Sequence, residues 1–383
     1  MDDMRDRARR IRAEVISNLD EHLAVFADSV ERRGGTVYFA ADAAQANQYV
    51  VNLAKTEQVR RVVKAKSMVT EEIQLNAALE AAGVEAVETD LGEFIVQLAG
   101  EMPSHIIAPV LHKSRFDVAE LFADKLGNEY TDKPTDLNDI ARVYLREKFL
   151  TADMGISGAN FGVAEDGAIA LVTNEGNGRM STTTPRIHVA VMGMERLVRD
   201  RADLAVMLEV LARSATGQRL SAYSNIVAGP RRPGEPDGPD QFHVVIVDNG
   251  RSATLGSAVA EILYCIRCGA CLDACPVYRQ VGGHAYGSVY PGPIGKVLTP
   301  SLYGLEEWHE LPSTSSLCGA CEEVCPVRID IPKLLVELRN QSTERTPAVV
   351  RRGLRLYAWV TTRPPLYRLA ARTAARVGRL WSR

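Results

Sequence analysis

No stretch of this 383-residue chain approaches the ~18 consecutive apolar residues of a membrane-spanning helix. Its N-terminus, MDDMRDRARRIRAE, lacks the apolar core of a secretory signal. Both absences point to the cytosol, where thiols stay reduced. There is no Walker motif, and no GxGxxG follows a strand, so no nucleotide cofactor is signalled. Cysteine is missing before residue 265, after which seven occur by residue 325. In a reducing compartment such a group reads as metal ligands or catalytic groups before disulfides. Acidic residues are missing from Arg345 onward, where ten Arg occur. The net charge of −3 therefore divides into a basic tail and an acidic body. An acidic body without a recognition motif argues against nucleic-acid binding.

What is present is an ordinary globular composition, 46% hydrophobic and 24% charged, with length for two domains. Ile11, Val15, Ile16, Leu19, Leu23, Phe26 and Val30 recur at helical spacing and predict one helix over 3–32, ended by Gly34-Gly35. Short apolar runs at 36–40, 61–66, 84–90 and 105–111 predict buried strands, with helices at 70–82 and 115–127 between them. Further strands are expected at 160–165, 168–174, 187–193 and 243–250, the first two joined by a hairpin at Asp166-Gly167. The alternation argues for an α/β layer fold with parallel pairing. The Pro- and Gly-rich segment 229–240 reads as a surface loop. Four pieces are expected: an N-terminal helix (1–35), an α/β domain (36–252), a cysteine-bearing domain (253–340) and an Arg-rich helical tail (341–383).

The cysteines form two related motifs, Cys265-x2-Cys268-x2-Cys271-x3-Cys275-Pro276 and Cys318-x2-Cys321-x3-Cys325-Pro326. The first is the run that wraps iron–sulfur clusters in two-cluster ferredoxins, where the fourth Cys ligates the other cluster. That rule assigns Cys265, Cys268, Cys271 and Cys325 to cluster one, and Cys275, Cys318 and Cys321 to cluster two. A zinc site would instead use C-x2-C pairs. Aligning the motifs puts Ser315 where the first cysteine of the second would stand. Cluster two then has three thiolates, as a three-iron cluster or a four-iron one with another fourth ligand. Ser315 and His284 are the candidates.

These motifs, with VETDLGEFIVQLAGEMPSHIIAPVLHK (87–113), GISGANFGVAEDGAIALVTNEGNGRMSTTTPRIHVAVMGMERLV (155–198) and CIRCGACLDACPVYRQVGGHAYGSVYPGPIG (265–295), carry a family resemblance. The chain resembles the lactate utilisation protein B (LutB) family, iron–sulfur proteins of bacterial L-lactate oxidation. The resemblance implies a LUD-type α/β domain, similar to the sugar-isomerase and CoA-transferase folds, followed by an α-helical ferredoxin-type domain with two [4Fe-4S]-type clusters. It implies a serine at position 315 as a family trait. It also implies two partners, a cysteine-rich LutA-like protein and a smaller LutC-like protein, in oxidising L-lactate to pyruvate.

The loop Asn174-Glu175-Gly176-Asn177-Gly178-Arg179 follows a strand, where α/β sheets often bind ligands. Its glycines would admit an anion and Arg179 would pair with a carboxylate, unless the loop is a plain turn with a solvated Arg. Glu165 and Glu175 are candidates for paired acid–base work, against the simpler reading of solvated strand ends. Lys64, Lys66, His112 and Lys113 read as surface charge. Residues 366–383 place Arg368, Arg372, Arg376, Arg379 and Arg383 on one helical face opposite apolar residues. That pattern suits a peripheral membrane contact, or a helix packed on the protein's own body. Two functional readings follow. One is an electron-transfer subunit with substrate chemistry on a partner; the other is a self-sufficient lactate-oxidising enzyme using the α/β domain. The first is preferred, because no hydride acceptor is visible on this chain.

Overall fold

The computed structural model describes residues 1–343 and 348–381, with backbone alone for 376–381. Its described residues contain ten strands: β1 (Thr36–Ala40), β2 (Arg61–Lys64), β3 (Glu85–Glu88), β4 (Met154–Ser157), β5 (Phe161–Val163), β6 (Ala168–Thr173), β7 (Ile187–Gly193), β8 (Leu197–Val198), β9 (Tyr223–Val227) and β10 (Gln241–Val247). Six build a parallel sheet in the order β1-β10-β7-β4-β2-β3. Helices cover both faces, as a parallel sheet requires. Alternation with period two sorts β10: Val245 and Val247 face the helices carrying Val50 and Leu79, while Val244 and Ile246 face Phe26 and Val30. The other four strands form a smaller sheet, β8-β5-β6-β9, beside the first.

The hairpin expected at Asp166-Gly167 joins β5 to β6, with Val163 opposite Ala168. Gly167 takes φ +60, and a Cβ there would fall 2.3 Å from the Ser29 carbonyl carbon. Only glycine lets this turn lie against the helix Leu19–Arg32.

The single helix expected over 3–32 is two, Asp2–Ser17 and Leu19–Arg32, broken at Asn18. The Asn18 side chain donates to the Glu14 carbonyl at 3.0 Å, competing with the helix backbone. The halves serve different cores: Ala8 and Ile11 pack towards the cysteine region, Phe26 and Val30 on the sheet. The helix expected over 70–82 likewise divides, into Met68–Glu72 and Leu75–Ala81, at Gln74 with φ +54.

Residues 105–111 are not a strand. Ser104 donates its amide to the Pro109 carbonyl at 2.9 Å, and His105 Nδ1 accepts the Ile107 and Ala108 amides at 3.0 and 3.1 Å. The closed loop packs on the cysteine region, where Tyr278 Oη donates to the Ser104 carbonyl at 2.7 Å. Ile106 and, in part, Ile107 are buried against the cysteine region rather than against a sheet, while Leu111 is exposed. The chain ends in two helices, Ala348–Thr361 and Pro364–Trp381.

Candidate iron–sulfur centres and the cavity beside them

The two cysteine motifs fold alike. Cys268 is flanked by Arg267 (φ +59) and Gly269 (φ +80), and Cys318 by Leu317 (φ +55) and Gly319 (φ +86). This left-handed alternation turns amides towards the preceding ligand position. Arg267 N lies 3.4 Å from Cys265 Sγ, and Leu317 N lies 3.2 Å from Ser315 Oγ. Ser315 thus stands in the second turn as Cys265 stands in the first. At the far ends, Tyr278 N donates to Cys275 Sγ at 3.5 Å and Ile329 N to Cys325 Sγ at 3.3 Å. Amide donors of this kind favour the thiolate form that iron needs.

The thiols fall into two groups of electrostatic neighbours. Burial pushes Cys268 and Cys271 well above the usual thiol range, and Cys265 and Cys325 push further. Cys325 is raised to about 11 by burial, with Cys265 adding. Cys321 is raised to about 11 by burial, with Cys275 and Cys318 adding. Cys318 is the exposed member, and its pKa is lowered by the Ala320 amide and the Ser316 hydroxyl. Crowded, buried thiols resist ionising unless a cation joins them. The donor set and its aimed amides therefore fit two iron–sulfur clusters, which would supply that charge. Among the described residues, no three His, Cys, Asp or Glu converge to hold a single ion. A mononuclear tetrahedral site needs such convergence, whereas a cubane spreads its thiolates over separate irons.

Cations surround this region that sequence reasoning had left unassigned. Arg5 donates to the Cys325 carbonyl at 2.8 and 3.1 Å. Arg9 pairs with Glu261 at 2.6 Å. Arg12, fully buried, donates to the carbonyls of Leu197, Leu263, Tyr264 and Glu195. Burial and then Arg196 lower its pKa to about 9. Arg196 donates to the Cys265 carbonyl at 2.9 Å, and Lys296 to that of Thr314 at 2.7 Å. The spacing of Arg5, Arg9 and Arg12 marks one helical face, the signal that could have found them.

His284 is exposed, with Nε2 2.7 Å from the Met102 carbonyl and its ring edge-on to His112. Glu165 and Glu175 lie at opposite ends of β6, about 20 Å apart at ~3.3 Å per residue, and are no acid–base pair. Arg179 is exposed and does not line the cavity described below. Lys64 is not surface charge: it is buried, ion-paired to Glu71 at 2.6 Å and Glu88 at 2.7 Å. His112 and Lys113 share Glu101 near the surface.

Lys66 is different. It is half-buried and lines a cavity of about 460 Å³ over the carboxyl ends of β2, β3 and β4, with Asp90, Asn160, Glu175, Asn177 and Arg267. Arg267 belongs to the first cysteine turn, so one wall of the cavity is the edge of that turn. Beneath it, Arg251 pairs with Glu72 and Glu195, both at 2.7 Å. Tyr290 Oη donates to Glu72 at 2.6 Å, and Arg267 reaches Glu195 at 3.3 Å. Burial alone would raise Glu195, but Arg251, Arg267 and Arg196 hold it at about 2.

Comparison with known proteins agrees with this two-part construction. Residues 23–247 match the LUD domain and residues 261–329 the 4Fe-4S dicluster domain. The chain is 48% identical to a lactate utilization protein B from Oceanobacillus iheyensis, over all of this chain and 80% of that one. It is 48% identical to the Bacillus licheniformis protein of the same name, over 97% and 79% respectively. It is 46% identical to the uncharacterized electron transport protein YkgF of Escherichia coli, over 98% and 79%. A crystal structure of a DUF162 family protein from Deinococcus radiodurans aligns with a TM-score of 0.32 at 14% identity, over 60% of this chain and 98% of that one.

Proposed function

The chain belongs to the lactate utilization protein B family, and on that premise we propose that it is the iron–sulfur electron-transfer subunit of a system oxidising L-lactate to pyruvate. The observation that supports this reading is the pair of like-folded cysteine turns, with amides aimed at Cys265, Cys275 and Cys325, in a segment that matches the 4Fe-4S dicluster domain. Cys265, Cys268, Cys271 and Cys325 would hold one cluster, and Cys275, Cys318 and Cys321 the other, with Ser315 at the fourth position. When bound, the clusters supply one-electron storage and relay. Lactate gives up two electrons and two protons on becoming pyruvate. The chain carries no hydride acceptor motif, so that step belongs to a partner. LutA-like and LutC-like proteins are the proposed partners, and the tail helices a peripheral contact with the inner face of the membrane. Among the described residues, no helix is long and apolar enough to cross one.

The test is anaerobic purification, iron counting and EPR. Cys325→Ser is expected to damage the cluster held by Cys265, Cys268 and Cys271, despite its distance in sequence. Loss of the other cluster alone would refute the crossed assignment. Lactate is expected to reduce the clusters when the partners are added and to leave the isolated protein unreduced.

A further inference from the structure

We propose that the cavity beside the first cysteine turn is a binding site for 2-hydroxy carboxylates, held by Lys66 and Asn177. The choice of acid rests on the lactate reading above; the existence of a site rests on the cavity. Three observations carry it. The cavity lies outside the carboxyl ends of parallel strands, where α/β folds bind their ligands. Lys66 Nζ lies 2.5 Å from the Ile107 carbonyl, and among the described residues Lys66 forms no ion pair within 4 Å. An ammonium has three donors, so this one keeps capacity for an anion. Asn177 is 4% exposed, and its side-chain oxygen is buried without a partner. A buried acceptor in that state calls for a donor.

The two demands together describe a molecule. A carboxylate answers Lys66, and a hydroxyl hydrogen answers Asn177. A carboxylic acid with a neighbouring hydroxyl offers both within a few bonds. Asp90, whose Oδ1 caps a helix by accepting the Gly92 and Glu93 amides, acts on Lys66 with Glu93 and Glu175 through space, and none of the three pairs with it within 4 Å. The rest of the lining is mostly apolar, with Ile95, Ile106, Val110, Leu171 and Leu211 among the walls. At about 460 Å³ the cavity exceeds what a methyl group needs, so it does not confine the acid to lactate. Binding here sets the acid beside Arg267 in the turn between Cys265 and Cys268. It leaves the two-electron acceptor to the partner.

The experiment is calorimetric titration of the anaerobically purified holoprotein with four probes. L-Lactate and L-2-hydroxyisocaproate are expected to bind saturably at one site. Propionate, lacking the hydroxyl, and lactamide, lacking the carboxylate, are expected to bind about tenfold or more weakly. Lys66→Met should remove the preference for lactate over lactamide, and Lys66→Arg should restore part of it. Asn177→Ala should remove the preference for lactate over propionate. EPR of each reduced variant reports whether the clusters, and so the fold, are intact. No saturable binding of either hydroxy acid by the intact protein overturns the proposal, as do unchanged preferences in well-folded variants. The relay reading fails separately. If the acids do not bind but lactate still reduces the clusters once partners are added, the relay stands without the site. If they bind but no reduction follows, the site stands without the relay.

Discussion

Arg251 and Glu72 meet in a bidentate ion pair, Nη1–Oε1 at 2.8 Å and Nη2–Oε2 at 2.7 Å, with neither side chain exposed. The pair joins the α/β part of the chain to the cysteine region, because Tyr290 also donates to Glu72. Burial would raise the Glu72 carboxyl, but Arg251 holds it below its ordinary value. Removing the Glu72 charge takes away the bidentate partner of a fully buried guanidinium and leaves it Glu195 alone. Glu72→Gln is expected to cost about 3–5 kcal/mol of stability. The double variant Glu72→Met, Arg251→Met should not recover it, since losing Arg251 also strands its other buried partner, Glu195, and Tyr290 Oη keeps no acceptor at Glu72. Denaturation of the three proteins, followed by circular dichroism and cluster absorbance, checks both expectations.

Much of this arrangement was legible in the sequence, and the failures have physical causes. The parallel strands announced themselves because buried strands are runs of Val and Ile, as in β7 and β10. The spacing of the cysteines exposed their motifs because cluster ligands must come from tight turns. The segment 105–111 misled, since an apolar run says that residues are buried but not against what. Strands β4, β8 and β9 escaped notice. The first contains a glycine, the second has two residues, and the third is largely exposed. Lys66 was unreadable as a ligand, because a charged residue after a strand is usually solvated. Only the fold places it over a cavity beside Asn177.

Ser315 accepts the Leu317 amide as Cys265 accepts that of Arg267, so a thiol at 315 would find its place already built. Ser315→Cys is expected to give cluster two a fourth thiolate and slow its loss of iron in air. Ser315→Ala is expected to convert it more readily to a three-iron form, while His284→Ala leaves it unchanged. EPR during timed air exposure reads all three. If the histidine variant is the labile one, the assignment to Ser315 is wrong.

His188 is fully buried, with Nε2 2.8 Å from Ser157 Oγ and Nδ1 unpartnered. Burial, reinforced by His243, lowers its pKa to about 3 from 6.5. Between these values the unfolded chain binds a proton that the folded chain refuses. The stability involved is present in full above about pH 6.5 and is lost as pH falls towards 3. At pH 5 the loss from this group is about 2 kcal/mol. His188→Asn should therefore narrow the stability difference between pH 7 and pH 5 by about that amount. Urea midpoints at the two values measure it, and equal differences in both proteins would refute the assignment.

The tail makes the remaining prediction. Sequence left open whether its apolar face packs on the protein's own body. In the helix Ala348–Thr361 no residue is buried, and Val349, Leu354, Leu356, Tyr357 and Trp359 are all exposed. In the helix that follows, Tyr367 and Leu369 are exposed, as are Arg368 and Arg372. The side chains of Arg376, Val377, Arg379, Leu380 and Trp381, and all of Arg383, lie outside the described residues. Exposed aromatic and aliphatic groups among arginines suit the boundary of an anionic bilayer, where each Arg adds about 1 kcal/mol. Both helices should then contribute, although sequence pointed only to the last. The full-length protein is expected to float with anionic vesicles and to be released by salt, which screens the charge term. Truncation at Thr362 should weaken binding, and truncation after Gln341 should abolish it. Flotation that survives the longer truncation would move the contact to another surface, and none by the intact protein would leave the arginines to an acidic protein partner.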